Sequence, residues 1–318
     1  MTLRRIGIAV LSVPLTLIGL VLLLWLLAFV RETDRHVPPT TMITQTSLGK
    51  VAATVTGPLD GPSILLVHGS AAWSGFWRDI AKHLGERGWR VIAVDLPPFG
   101  YSDHDPRARY DRTSQAQRLS DLLKALAGQP AVVLGHSFGA GAATELALRN
   151  PEQVSQLVLV DAALGTLDPK GPPASPGLLG SGLVARPLTA ISVTNPWAIG
   201  PLMRSFISRK EAAAPWLATL RQPMRRPGST AAYAAWLPSL FATNDGGLSW
   251  RSAELAKIRM PVAIIWGETD TVTPIAQGEN LARILRPKQF VRLPGTGHIP
   301  HIESPGAFTK ALDGVLIR

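Results

Sequence analysis

Short apolar runs recur along most of the chain, and stretches with helical spacing separate them. We interpret six such segments as strands: Ser63–Val67, Val91–Val94, Ala131–Leu134, Leu157–Val160, Val262–Trp266 and Gln289–Leu293. Apolar strands of this kind are typical of a parallel sheet that helices cover on both faces. Helical periodicity between them is seen in Trp73–Leu84, Thr113–Leu126 and Ile275–Leu285. The pattern therefore predicts an α/β fold built from right-handed βαβ units.

Two stretches depart from this alternation. Thr41–Thr56 is rich in β-branched residues and predicts an edge hairpin that turns near Gly49. Residues 163–257 carry no comparable strand and show only short helical patches, namely Trp197–Ile207, Ala212–Leu220 and Ala231–Leu240. A structureless loop of this length is implausible in a compact domain, so we expect a helical insertion. It either decorates the core or forms a lid over an active site.

The N-terminal segment Ile6–Val30 is almost continuously apolar. A helix of this length crosses a bilayer, and Arg4 and Arg5 before it favour a cytoplasmic N-terminus with the remaining chain on the outer side. A cleaved signal peptide has a shorter apolar core of about 7–15 residues, and a buried core helix is the other alternative. The predicted organisation is an anchor (1–35), a linker (36–40), a first core part (41–162), the insertion (163–257) and a second core part (258–318).

Charge and composition limit the kinds of binding partner that the sequence favours. The chain of 318 residues has 32 Lys+Arg against 22 Asp+Glu, and the insertion has ten basic residues against four acidic ones. An anionic membrane surface would suit this balance. Nucleic acid is disfavoured, because no zinc-ligand spacing, RNA-binding motif or basic block is present. The absence of cysteine excludes disulfides, thiolate metal sites and a thiol nucleophile.

The clearest chemical motif is Gly135-His136-Ser137-Phe138-Gly139, which lies between a predicted strand and a predicted helix. In a G-x-S-x-G turn of this kind the serine adopts a strained backbone conformation that exposes its hydroxyl. Ser137 is therefore the candidate nucleophile, with Gly135, His136 and Gly139 forming the turn around it.

The other candidate residues each follow a strand, where ligands bind in parallel sheets. A serine needs a base and an orienting acid, and we assign these to His298 and Asp270. Asp161 is the alternative acid and His301 the alternative base. The backbone N–H groups of Ser70 and Phe138 are the predicted oxyanion donors.

Several aromatic and histidine side chains have more ordinary interpretations. We expect His68 to support the oxyanion loop and His136 to form a hydrogen bond within its own turn. The other histidines, His36, His83 and His104, are interpreted as linker or surface residues. Trp73 and Phe76 either fill the core beneath their helix or line a substrate pocket.

From Thr41 to Arg318 the sequence resembles the α/β-hydrolase superfamily. The motifs that carry the resemblance are His68-Gly69, the Asp95–Asp103 loop, Gly135–Gly139 and Gly297–Pro305. The resemblance implies an eight-stranded sheet, a triad of Ser137, Asp270 and His298, and a cap domain formed by the insertion. Pro98 stands where glycine is frequent in the family. The serine nucleophile argues against haloalkane dehalogenase and epoxide hydrolase chemistry, which use aspartate.

These observations predict a membrane-anchored hydrolase of a carboxylic ester with an apolar acyl chain. The reaction needs no cofactor and no metal. A carbon–carbon bond hydrolase, an acyltransferase or perhydrolase, and a ligand-binding protein without turnover are the alternatives, because a fold does not determine its substrate.

Overall fold

An eight-stranded sheet forms the centre of the computed structural model, which describes residues 16, 18–23, 25–165, 167–168, 177–242 and 245–317. Its strands are β1 (Thr41–Thr46), β2 (Gly49–Thr56), β3 (Ser63–Val67), β4 (Arg90–Val94), β5 (Ala131–His136), β6 (Val154–Val160), β7 (Val262–Gly267) and β8 (Gln289–Leu293). The spatial order is β1-β2-β4-β3-β5-β6-β7-β8. β2 is antiparallel to β1 and β4, and all other neighbours are parallel. The predicted edge hairpin and mostly parallel sheet are confirmed.

Within the described residues the chain forms twelve α-helices. They are α1 (within residues 16–31), α2 (Arg78–Glu86), α3 (Arg112–Leu126), α4 (Phe138–Arg149), α5 (Gly182–Ile191), α6 (Ile199–Phe206), α7 (Leu217–Arg221), α8 (Ser229–Phe241), α9 (Ser252–Leu255), α10 (Ile275–Leu285), α11 (Pro300–Glu303) and α12 (Pro305–Val315). In β3, Leu65 and Val67 pack with α3, α4 and α10, whereas Ile64 and Leu66 pack with α2 and α12. Successive strand residues point to opposite faces, so a strand buried on both faces is apolar throughout.

The helical insertion between β6 and β7 carries α5 to α9. Its residues Met203 and Trp236 share one apolar cluster with Trp73, Phe99 and Phe138, which lie in loops and turns after the parallel strands. The insertion therefore covers the carboxyl edge of the sheet. Its division from the core at residues 163 and 257, as a separate cap domain, stays a prediction.

The N-terminal helix α1 ends against this insertion. The Glu32 carboxylate accepts hydrogen bonds from the N–H groups of Gly228 (2.9 Å) and Thr230 (2.7 Å). An anion is favourable there, because the N-terminus of α8 carries a partial positive charge. No helix within the described residues is both long and apolar enough to cross a membrane. The predicted anchor lies partly outside those residues, which omit 1–15, 17 and 24.

Arg112 ties both ends of the insertion to α3. Its guanidinium donates to the carbonyls of Ala163 (3.2 Å) and Leu164 (2.9 Å) and to the hydroxyl of Ser249 (3.2 Å). The same group stacks 3.6 Å from the ring centroid of Trp250. One buried cation thus holds the segment that leaves β6 against the segment that returns to β7.

We expect Arg112→Met to lower the free energy of unfolding by about 3 kcal/mol, because two buried carbonyls would lose their charged donor. Urea denaturation would measure this loss. Lys124→Ala, at an exposed position of the same helix, is the matched control and should change stability by less than about 0.5 kcal/mol. Equal losses in the two variants would contradict this role of Arg112.

Candidate active site

Ser137 stands at the sharp turn between β5 and α4. Its φ of 51° and ψ of −123° are strained for a residue other than glycine. Backbone hydrogen bonds hold the turn, because the Ser137 N–H donates to the Val160 carbonyl (3.0 Å) and the Ser137 carbonyl accepts from the Ala163 N–H (3.1 Å). The serine hydroxyl is thereby presented at the carboxyl end of the sheet.

The two glycines of this turn are required by close packing. A Cβ atom at Gly135 would lie 2.6 Å from the Cα of Ala140, and one at Gly139 would lie 2.3 Å from the His68 carbonyl oxygen. Contacts this short do not occur for real side chains, so β5, β3 and α4 could not approach as they do. The spacing of the sequence motif therefore reflects backbone-to-backbone contact.

One hydrogen-bonded chain joins the three residues assigned to nucleophile, base and acid. The Ser137 hydroxyl lies 2.8 Å from His298 Nε2, and His298 Nδ1 lies 2.7 Å from Asp270 Oδ2. All three side chains are buried. Because a carboxylate only accepts, His298 donates from Nδ1 and accepts the serine proton at Nε2.

Hydrogen bonds to both carboxylate oxygens keep Asp270 ionised. Its Oδ1 accepts from the N–H groups of Val272 (2.7 Å) and Thr273 (2.9 Å), and its Oδ2 accepts from the Thr273 hydroxyl (2.6 Å). Burial alone would raise the pKa of Asp270. The hydrogen bond from His298, the electrostatic attraction of that ring and the hydrogen bonds from Thr273 together hold the pKa of Asp270 below its ordinary value.

The backbone of His298 is fixed on both sides. Its N–H donates to the Phe206 carbonyl (2.9 Å), and its carbonyl accepts from His136 Nε2 (2.7 Å). The prediction that His136 bonds within its own turn was wrong. The His136 ring instead donates to the loop that carries His298. His136 is the last residue of β5, and this end of the strand lies at the same sheet edge as the His298 loop.

The predicted oxyanion donors lie on either side of Ser137. His68 donates from Nδ1 to the Gly69 carbonyl (2.7 Å) and accepts the Leu96 N–H at Nε2 (2.9 Å). In a trans peptide the carbonyl and N–H point to opposite sides, so this contact directs the Ser70 N–H away from the His68 ring. Neither the Ser70 N–H nor the Phe138 N–H has a hydrogen-bond partner among the described residues.

The alternative base and acid make different hydrogen bonds from those of His298 and Asp270. His301 is buried and stacks on Trp77, with 4.1 Å between ring centroids, and its Nδ1 has no partner within the described part of the chain. The Asp161 Oδ1 accepts from the Gly267 N–H at 2.8 Å. The geometry therefore pairs His298 with Ser137 and Asp270 with His298.

Trp73 and Phe76 face the insertion. The Trp73 indole N–H donates to the Thr219 carbonyl (2.7 Å), and the Phe76 ring lies 5.6 Å from that of Trp216. Trp236 contacts Phe138 edge-on at 5.5 Å. These rings form an apolar wall between the insertion and the turn that carries Ser137.

The chain matches the model of the alpha/beta hydrolase fold family over residues 62–305. It belongs to the α/β-hydrolase family. The family match covers β3, the Ser137 turn, the insertion and the His298 loop, so every residue of the hydrogen-bonded chain lies within it.

Named relatives of this α/β hydrolase differ in chemistry. It is 34% identical to the magnesium-chelatase 30 kDa subunit of Rhodobacter capsulatus, over 77% of this chain and 84% of that protein. It is 28% identical to the 2-hydroxymuconate semialdehyde hydrolase of Pseudomonas sp. strain CF600 (80% and 87%). It is 29% identical to the pimeloyl-[acyl-carrier protein] methyl ester esterase of Nitrosomonas europaea (80% and 96%).

A solved structure with the same fold is a thermophilic esterase from Thermogutta terrifontis. Its TM-score is 0.69 at 23% identity, covering 86% of this chain and 97% of that one. At this identity the match supports the fold alone.

Several histidines of this hydrolase are kept neutral by burial. Burial lowers the pKa of His68 to about 4 and that of His136 to about 3. His104 was predicted to lie at the surface, but it is half-buried and its Nε2 is enclosed. Burial and the nearby Arg226 lower the pKa of His104 to about 4.

We expect the free energy of unfolding to fall as the pH drops from about 6.5 to about 4. In that window the unfolded chain binds protons that the buried histidines exclude, at about 1.4 kcal/mol per histidine and pH unit. His104→Gln should reduce this slope by about that amount while leaving the pH dependence above about pH 7.5 the same as in the wild type. Urea denaturation at several pH values would test this, and an unchanged slope would refute the burial effect.

Proposed function

We propose that this α/β hydrolase is a serine hydrolase that cleaves a carboxylic ester through an acyl-enzyme on Ser137. The observation that carries the proposal is the hydrogen-bonded chain from the Ser137 hydroxyl through His298 to Asp270. The N–H groups of Ser70 and Phe138, which have no partner in the part of the chain that the structure describes, would supply the oxyanion site. Each part of a nucleophilic acyl transfer then has a residue in position.

The proposed reaction proceeds in two halves. Ser137 Oγ attacks the ester carbonyl carbon while His298 Nε2 takes its proton, and the N–H groups of Ser70 and Phe138 bind the developing oxyanion. The protonated His298 then gives that proton to the leaving alcohol, and an acyl-enzyme remains. A water molecule, deprotonated by the same ring, attacks the acyl carbon and releases the acid and the free serine.

The names of the relatives support ester cleavage and carbon–carbon cleavage as two candidate reactions. The Nitrosomonas protein is a methyl ester esterase, and the Pseudomonas protein is a semialdehyde hydrolase. Both reactions can use the same nucleophile, base and oxyanion site. We favour an ester with an apolar acyl chain, because the wall formed by Trp73, Phe76 and Trp236 is apolar.

A ligand-binding protein without turnover is the candidate from another class. The Rhodobacter relative is named as a subunit of magnesium chelatase and not as a hydrolase, which motivates this candidate. The complete hydrogen-bonded chain around Ser137 favours catalysis over binding alone.

We expect a fluorophosphonate probe to label the full-length protein and to lose its target in Ser137→Ala. Turnover of nitrophenyl esters should fall by at least about 10⁴-fold in the same variant, because the nucleophile is gone. Ser205→Ala, which removes an exposed hydroxyl of α6, is the matched control and should label as wild type does.

A panel of substrates distinguishes ester cleavage from carbon–carbon cleavage and from binding without turnover. Esters of increasing acyl length and a diketone-like substrate would be compared by kcat/KM. Higher kcat/KM with longer acyl chains supports the apolar ester. Turnover of the diketone alone supports carbon–carbon cleavage. A well-folded wild type that binds ligands but is neither labelled nor active would exclude the serine hydrolase.

We further propose that the N-terminal segment anchors the enzyme in a membrane, with the hydrolase domain on the outer side. The apolar run Ile6–Val30 and the two preceding arginines motivate this. On the described part of the chain, Phe29 and Trp197 are exposed apolar side chains, and Arg31 lies 5.9 Å from the Trp197 ring. Exposed basic residues of the insertion, such as Arg204 and Arg225, would suit anionic lipid headgroups.

The cysteine-free chain permits a direct test of this topology. In bacterial spheroplasts, a membrane-impermeant maleimide should label Lys310→Cys, at an exposed position of α12, without permeabilisation. Thr2→Cys should be labelled only after permeabilisation. The reverse pattern, or release of the protein into the soluble fraction, would reject the proposed anchor.

A further inference from the structure

Asp161 occupies an enclosed position at the end of β6. Its φ is 42°, and its side chain has no exposed surface. A left-handed backbone is uncommon at residues other than glycine, but aspartate and asparagine adopt it more readily than most. Here the Asp161 N–H donates to the Ile265 carbonyl (3.1 Å), and the Asp161 carbonyl oxygen lies 3.2 Å from the Thr273 hydroxyl oxygen, whose proton is directed to Asp270.

The carboxyl of Asp161 is only half satisfied. Oδ1 accepts the Gly267 N–H, but Oδ2 is buried and has no partner among the described residues. Asp161, Asp270 and His298 each place one ligand-type atom in a group whose members all lie within 4.8 Å of one another. A second carboxyl, one of whose oxygens is buried without a partner among the described residues, therefore lies beside the candidate acid and base.

Two carboxyls this close in a buried site do not both ionise, because their charges repel where water cannot screen them. The carboxyl group that accepts more hydrogen bonds keeps the negative charge. Asp270 has His298, the Thr273 hydroxyl and two backbone N–H groups, whereas Asp161 has one backbone N–H. Burial and the charge of Asp270 raise the pKa of Asp161 well above its ordinary value.

We propose that Asp161 is a second acid of this site, neutral beside Asp270 in the intact enzyme and able to replace it when that carboxylate is removed. The proposal rests on the proposed function of Ser137 and His298. In the intact enzyme Asp161 is a positioning residue that acts through Asp270. In Asp270→Asn the repulsion by Asp270 is gone, so Asp161 releases its proton to solvent at a lower pH than in the intact enzyme, although burial and Glu303 still raise its pKa. Once deprotonated, Asp161 supplies the negative charge that stabilises protonated His298.

A double-mutant cycle on Asp161→Asn and Asp270→Asn tests this. Asparagine at position 161 still accepts the Gly267 N–H and tolerates a left-handed backbone, so the fold is preserved. We expect Asp161→Asn to lower kcat by about threefold in the wild-type background but by at least about 30-fold in the Asp270→Asn background. A purely structural role would lower kcat by the same factor in both backgrounds, and that result would overturn the proposal.

The pH dependence provides a second readout. In Asp270→Asn, kcat should rise with pH as Asp161 loses its proton, and this limb should be absent from the double variant. An Asp270→Asn enzyme as inactive as the double variant, with no such limb, would also overturn the proposal. Unchanged thermal melting of each variant would confirm that the comparison is between folded proteins.

An infrared measurement separates this proposal from the proposed function. At pH 7 the wild type should show the carbonyl stretch of a protonated carboxylic acid, and Asp161→Asn should lack it. If the band is present but wild type neither labels nor turns over esters, the neutral Asp161 stands and the serine hydrolase has failed. If esters are hydrolysed but the band is absent, the serine hydrolase stands and the second acid has failed.

Discussion

The strained turn at Ser137 is the constraint on which the arrangement of this protein depends. A left-handed serine costs about 1–3 kcal/mol, and it persists because its neighbours leave no alternative. The Val160 carbonyl and the Ala163 N–H hold its backbone, and contacts at Gly135 and Gly139 bring strand and helix together. Since β5 lies centrally in the sheet, the loops after β3, β6, β7 and β8 converge on the Ser137 hydroxyl.

The electrostatics of the site follow from this convergence. Several ionisable groups are enclosed together, and burial keeps His68 and His136 neutral, so each forms fixed hydrogen bonds to the backbone. Asp270 accepts enough hydrogen bonds to stay charged beside Asp161. The fixed hydrogen bonds around this carboxylate give His298 a single orientation, which a base shared between a serine and an acid requires.

The local patterns of the sequence predicted the fold and placed Ser137, His298 and Asp270 at strand ends, because strand periodicity and turn motifs are short-range signals. Contacts between distant segments were not accessible in this way. His136 reaches the carbonyl of His298 across 162 residues, and the proximity of Asp161 to Asp270 depends on the pairing of β6 with β7. The insertion was predicted only coarsely, since its helices are short and two contain internal prolines.

The insertion is bound to the candidate acid and base at one of its edges. The Phe206 carbonyl accepts the His298 N–H, the Glu303 carboxylate accepts the N–H groups of Ser208 (2.8 Å) and Arg209 (3.1 Å), and the Ser208 hydroxyl lies 2.6 Å from that of Thr269, next to Asp270. A displacement of residues 206–209 would therefore disturb the orientation of both His298 and Asp270. At the other edge, α8 meets the Ser137 turn through the ring contact of Trp236 with Phe138. Next to α8, the Arg226 guanidinium donates to the Ser102 carbonyl (3.0 Å). Oriented hydrogen bonds therefore hold the insertion to the core at both of these edges, and the position of the insertion is coupled to the order of the site.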